Sequence, residues 1–158
     1  MLTRRLFATC ALCTVTGFVA TDANAQAGTP AAASAASLEG QVRAAYAAWD
    51  EAFNRGDAKA VAAFYNDDAI FLPATHDVIR GPAGVEKFFS GLFGMGVTGH
   101  KLELIEAHSE GNLVFGADKW SAKGKDANGK DQPWGGLATH IFKRQPNGTL
   151  KLELHTFN

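Results

Sequence analysis

The chain has 158 residues, 46% of them apolar and 20% charged, and a formal net charge of −1. That length suits a single domain with a core of its own. The charge is nearly balanced and no block of Lys and Arg occurs, which excludes nucleic acid and anionic membrane surfaces as partners, since both need clustered cations.

Residues 1–25 read as an export leader. Arg4 and Arg5 make a positive start, residues 6–20 form an apolar run, and Ala23-Asn24-Ala25 offers a cleavage site before Gln26. The run is too short to span a membrane, which takes about 20 apolar residues. Thr3-Arg4-Arg5-Leu6-Phe7 also resembles the twin-arginine export motif. The expected location is therefore periplasmic or secreted. Cys10 and Cys13 both lie in the leader, so the mature chain has no thiol for a disulfide, a nucleophile or a metal. It carries 13 basic and 15 acidic residues. Residues 26–37, rich in Ala, Ser and Thr, read as a flexible tether to a domain over 38–158.

Leu38, Val42, Ala45, Tyr46, Trp49 and Phe53 recur at helical spacing and make one apolar stripe, with Ser37 as N-cap and Gly56 as the stop. Arg43, Asp50, Glu51 and Arg55 fall on the wet side. Asp57 caps a second helix that turns Ala60, Val61, Phe64 and Tyr65 inward. Asp67-Asp68 is expected to mark a turn before a short strand over 69–72, which Pro73 ends. A polar loop with His76 and Asp77 follows, then a second short strand over 78–80. Gly81-Pro82 opens a third helix with the stripe Val85, Phe88, Phe89 and Leu92. The mouth of any pocket is expected near residues 71–77.

From His100 onward the apolar period changes from that of a helix to two. Four long strands are predicted, turning at Glu110-Gly111-Asn112, at residues 126–130 and at Pro146-Asn147-Gly148. On the second, Val114, Gly116, Asp118 and Trp120 share a face. Helices followed by an antiparallel meander indicate an α+β fold with the helices on one face of a curved sheet.

Gly94-Met95-Gly96-Val97-Thr98-Gly99 matches G-x-G-x-x-G, but a helix precedes it and a strand follows, the reverse of a dinucleotide site. His76, His100, His108, His140 and His155 show no metal-ligand spacing, so neither metal nor cofactor is expected. The last hairpin decides which histidine faces inward. Pro146-Asn147-Gly148 suits a three-residue loop, which sets His140 opposite Leu154 and His155 opposite Thr139. His140 then points to the apolar face, either as a satisfied core group or as an acid/base in a pocket. Trp49, Phe53, Tyr65, Phe71 and Trp120 are large aromatics able to line such a pocket, with His76 and His140 as polar groups.

The segments AAYAAWDEAFNRGD (44–57), FYNDDAIFLP (64–73) and IRGPAGVEKFF (79–89), with the closing strands GGLATHIFKR and LKLELHTFN, resemble the nuclear transport factor 2-like superfamily. Within it they are most similar to the SnoaL-like and SgcJ/EcaC-type proteins related to ketosteroid isomerase. The resemblance implies a cone-shaped, strongly bent, mainly antiparallel sheet wrapped around three N-terminal helices, a pocket at the open end, and a homodimer. It also places the isomerase general base at Pro73, the oxyanion tyrosine at Trp49 and the second oxyanion acid at or beside His140. Pro73 has no proton to exchange and Trp49 is a far weaker acid, so steroid isomerisation in that form is not expected. Three functions follow as expectations. The first is an exported protein that binds a small apolar or aromatic molecule. The second is a cofactor-free proton-transfer enzyme that uses His140 with Asp118, His76 or His155. The third is a structural dimer module without ligand.

Overall fold

A computed structural model describes residues 30–158, and their side chains from residue 38 on. The leader over 1–25 and the first tether residues lie outside the described residues. The elements run α1 (Pro30–Asn54), α2 (Ala58–Ala62), β1 (Tyr65–Leu72), β2 (Ile79–Arg80), α3 (Gly81–Gly94), β3 (Thr98–Glu110), β4 (Leu113–Lys125), β5 (Asp131–Arg144) and β6 (Leu150–Phe157). The strands form one curved, unclosed sheet in the order β2-β1-β6-β5-β4-β3. Only β1 and β6 pair in parallel. The fold is the expected α+β cone, with the core between the helices and one sheet face.

The stripe on α1 is buried as its spacing predicts, with Ala52 joining Val42, Tyr46, Trp49 and Phe53. The helix itself starts at Pro30, ahead of the Ser37 cap expected from the sequence, and takes in most of the segment read as a tether. Alanine is the best helix former, so the Ala-rich stretch before Leu38 can extend the helix without supplying an apolar stripe. Proline at the first helical position needs no amide partner. Asp57 caps α2 by accepting from the Ala60 amide at 2.9 Å. A second correction concerns Asp67 and Asp68. They are exposed residues within β1 and do not form a turn. The ladder to β6 is irregular between Tyr65 and Ile70, so these two carboxylates sit on the distorted stretch of the strand.

The last hairpin holds the third correction. The three-residue loop forms as expected, with Gln145 N–H donating to the Thr149 carbonyl at 2.8 Å and Gly148 at a φ of 84°. Phe142 accordingly pairs with Leu152. A bulge then leaves Glu153 unpaired, and from Ile141↔Leu154 onward the register has slipped by one. His140 therefore lies opposite His155 and not Leu154, and both imidazoles point into the core, 2% and 4% exposed. An alternating pattern carries no mark of such an extra residue, because a one-residue slip exchanges the faces of everything beyond it.

Two glycines in β4 hold the inner face open. A Cβ on Gly116 would collide with the Tyr46 hydroxyl, and one on Gly124 with the Trp134 ring. The Tyr46 hydroxyl can therefore reach across β4 to Asp118, and the Trp134 ring can lie over Gly124.

Candidate functional site

α1, α3 and the inner face of the sheet enclose an apolar cavity of about 60 Å³. Its walls include Trp49 and Phe53 from α1, Phe89 and Leu92 from α3, and Trp120, Trp134 and Phe157 from the sheet. Leu92, Trp120, Trp134 and Phe157 also wall an outer vestibule of about 450 Å³. Ala74 and Thr75 of the loop after β1 line that vestibule but not the inner cavity. The mouth thus lies at one end of the expected loop and extends to the β4–β5 strands. Among the described residues, no Asp, Glu, Lys or Arg lines either space. The polar side chains in the wall of the inner cavity, the tryptophan indoles apart, are two imidazoles, His100 and His155.

His100 is held from α1. Its Nδ1 donates to Asp50 Oδ1 at 2.7 Å, and Leu102 N–H donates to Asp50 Oδ2 at 2.9 Å. Asn54, one turn further along α1, grips the His100 backbone on both sides: its Nδ2 donates to the carbonyl and its Oδ1 accepts from the amide, each at 2.8 Å. The ring is nearly parallel to Trp120, 7° apart in plane, and packs against Phe53 with centroids 4.7 Å apart. A carboxylate on Nδ1 leaves Nε2 of the neutral ring with a free lone pair. That arrangement can accept a proton or a hydrogen bond from a guest.

His155 is held from behind. Tyr65 and His155 Nδ1 are 2.7 Å apart, and both side chains are buried. Burial, reinforced by the neighbouring His140 and His100, holds His155 well below the ordinary histidine value, so this ring is neutral. Burial likewise pushes the Tyr65 phenol far up, with the Trp49 indole acting the other way.

Behind His155 stands a second polar group. His140 packs against it with centroids 4.2 Å apart. His140 Nδ1 donates to Asp118 Oδ2 at 2.8 Å, and the Tyr46 hydroxyl donates to the same oxygen at 2.8 Å. Burial, and then the Asp118 charge, push the Tyr46 phenol far above its ordinary value. Asp118 is fully buried, and its Oδ1 has no hydrogen-bond partner among the described residues.

Of the residues singled out from the sequence, Trp49, Phe53 and Trp120 line the cavity. Tyr65 and Phe71 are fully buried in the layer behind it. His140 and Asp118 lie one layer deeper, and His140 meets only a minor void of about 10 Å³ beside Tyr46. His76 is exposed on the loop, in a left-handed turn with a φ of 65°, and is not brought to the site. Sequence reading missed Asp50, His100 and Asn54, and it gave His155 only a secondary role. Asp50 stands one residue past Trp49, at the edge of the stripe, where a charged residue reads as solvated. Among the described residues, no three His, Cys, Asp or Glu side chains converge as metal ligands would. No described helix is long and apolar enough to cross a membrane.

The profile described as SnoaL-like domain matches residues 42–150. No curated protein matches the chain. Solved structures do. A ketosteroid isomerase-like protein from Erwinia carotovora atroseptica is 20% identical with a TM-score of 0.66, over 75% of this chain and 92% of the other. A protein of unknown function from Mycobacterium tuberculosis is 18% identical with a TM-score of 0.69, over 84% and 76%. An NTF2-like protein with a cystatin-like fold from Novosphingobium aromaticivorans is 16% identical with a TM-score of 0.66, over 81% and 85%. At these identities the likeness shows the fold alone.

Proposed function

Because the chain belongs to the SnoaL-like domain family of the nuclear transport factor 2-like superfamily, we propose that it binds a small, neutral, apolar or aromatic molecule between α1, α3 and the sheet. Proteins of this fold commonly bind small molecules or act on them. The observation that carries the reading is the cavity itself: aromatic walls, two convergent imidazoles and no charged side chain. This is the composition of a small-molecule site, and a space that the chain's own aromatic side chains leave between helices and sheet argues against a purely structural module. The enclosed part is smaller than the ~150 Å³ that accepts benzene in an engineered apolar cavity. A guest must therefore extend into the vestibule. All three tryptophans of the chain line the cavity, so ligand entry should change their emission. Native mass measurement on protein purified from its own host would find a retained ligand. A ligand-free protein whose tryptophan emission is indifferent to every neutral aromatic compound offered would refute the proposal.

A second reading, cofactor-free proton transfer, is favoured by one observation: the Asp50–His100 pair presents an imidazole to the cavity. The acid/base role first assigned to His140 passes to His100, because His140 does not reach the larger cavity. Deuterium uptake at the methyl carbon of acetophenone in heavy water, followed by NMR, tests this. Exchange that His100→Gln abolishes supports catalysis, whereas binding without exchange leaves a binding protein. The leader supplies a location for either reading, which is export to the periplasm or beyond. N-terminal sequencing of the protein from its host should begin at Gln26.

A further inference from the structure

The two imidazoles that line the cavity are bonded through the same nitrogen to partners of opposite character. His100 Nδ1 faces a carboxylate, which only accepts, so this nitrogen carries the proton. His155 Nδ1 faces a phenol, which can do either. The tautomer follows from where the phenol proton can go. Tyr65 is fully buried, and Nδ1 of His155 is its one hydrogen-bonding partner among the described residues. If His155 donated, the Tyr65 proton would be buried without an acceptor, at a cost that folded proteins avoid. The Trp49 N–H, fully buried and without a hydrogen bond, lies near enough to oppose the rise in the Tyr65 phenol, which puts a donor near the phenol oxygen. Tyr65 therefore donates to Nδ1, and the neutral His155 carries its proton on Nε2. Among the described residues neither the His100 nor the His155 Nε2 has a hydrogen-bond partner, neither is a fully buried orphan, and both rings line the cavity.

We infer that the cavity wall carries one fixed hydrogen-bond donor, His155 Nε2–H, and that it selects a neutral molecule bearing a carbonyl-type oxygen. This rests on the binding reading above and names the ligand class for the same site. A hydrocarbon fills the apolar walls but leaves His155 N–H unpaired. A carboxylate meets no cation in either space. Tyr65 is thus a positioning residue, which sets the donor without touching the ligand.

The test uses the full domain with ¹⁵N-labelled histidine. Two-bond ¹⁵N–¹H correlation at neutral pH should show His155 with a bare Nδ1 and a protonated Nε2, and Tyr65→Phe should mix the tautomers. Acetophenone, ethylbenzene and benzoate are then titrated, with tryptophan emission and the His155 resonances as readouts. Acetophenone should bind roughly three- to tenfold more tightly than ethylbenzene and shift the His155 Nε2–H, as one added neutral hydrogen bond predicts. Benzoate should bind least. A proton found on His155 Nδ1 overturns the inference. Ethylbenzene binding as tightly as acetophenone, with the His155 signal unmoved, also overturns it while leaving the binding reading intact. If none of the three alters the tryptophan emission, the binding reading fails and the inference fails with it.

Discussion

At the scale of single residues, polar atoms buried behind the cavity decide what each substitution does. His140 supplies one of two hydrogen bonds to a fully buried Asp118. Removing one partner of a buried carboxylate–imidazole pair costs about 3–5 kcal/mol, in the same range as the roughly 2–5 kcal/mol for truncating a buried leucine. His140→Ala should therefore lower the unfolding free energy about as much as Leu152→Ala. Denaturant titration of the two variants checks this, and a His140→Ala variant as stable as the parent would show that Asp118 needs no imidazole. His155 makes the fold sensitive to acid. Its value in the folded state is depressed, so below about pH 6.5 the unfolded chain takes up a proton that the folded chain does not. Stability should be level above that pH and fall below it, by at most about 1.4 kcal/mol per pH unit for one group. Melting scans from neutral to mildly acidic pH should show this slope, and His155→Phe should reduce it.

At the scale of elements, α1 does more than cover the sheet. Its Asp50 accepts from the Leu102 amide and its Asn54 from the His100 amide at the start of β3, so a helix face sets where that strand begins. Asn54→Ala should speed hydrogen exchange at the His100 amide by about fivefold, the equivalent of roughly 1 kcal/mol for one lost hydrogen bond, with little change in β5. Exchange mapped by NMR or mass spectrometry would show it, and an unchanged His100 amide would mean that the strand holds itself. This clamp also marks the limit of what could be read from the sequence. The stripe Val42, Tyr46, Trp49, Phe53 is a periodic signal, and so is the buried face of β4, so fold and inner face were legible. The partners of Asp50 lie 50 and 52 positions away and have no periodic signature. The unpaired Glu153 moves His155 across the sheet without disturbing the composition of the strand. Pairings through a bulge or across distant segments depend on three-dimensional register, which propensity and alternation do not encode.

At the scale of the whole molecule, the outer sheet face remains to be partnered. Ile105 on β3 and Leu137 on β5 are 55% and 53% exposed, and Phe115 on β4 is half-buried between them in the strand order. Phe157 does not belong to that face, because it lines the cavity. A homodimer across the outer face is the proposal that the family resemblance and these residues support. Sedimentation at micromolar concentration should give twice the chain mass, and the pair Ile105→Lys and Leu137→Lys should halve it without altering ligand-induced tryptophan emission. A parent protein that sediments as one chain would remove the proposal.

The place of β6 in the sheet has a consequence for synthesis. β6, which follows the other five described strands in chain order, lies in the interior, between β1 and β5, and carries His155. A ribosome that has not yet released residues 150–157 holds two unjoined pieces: β1 with β2, and the β3–β4–β5 meander. Neither has a closed core. The core can therefore close only once residues 150–157 have emerged, and until then the inner face of the meander stays uncovered along its β5 edge.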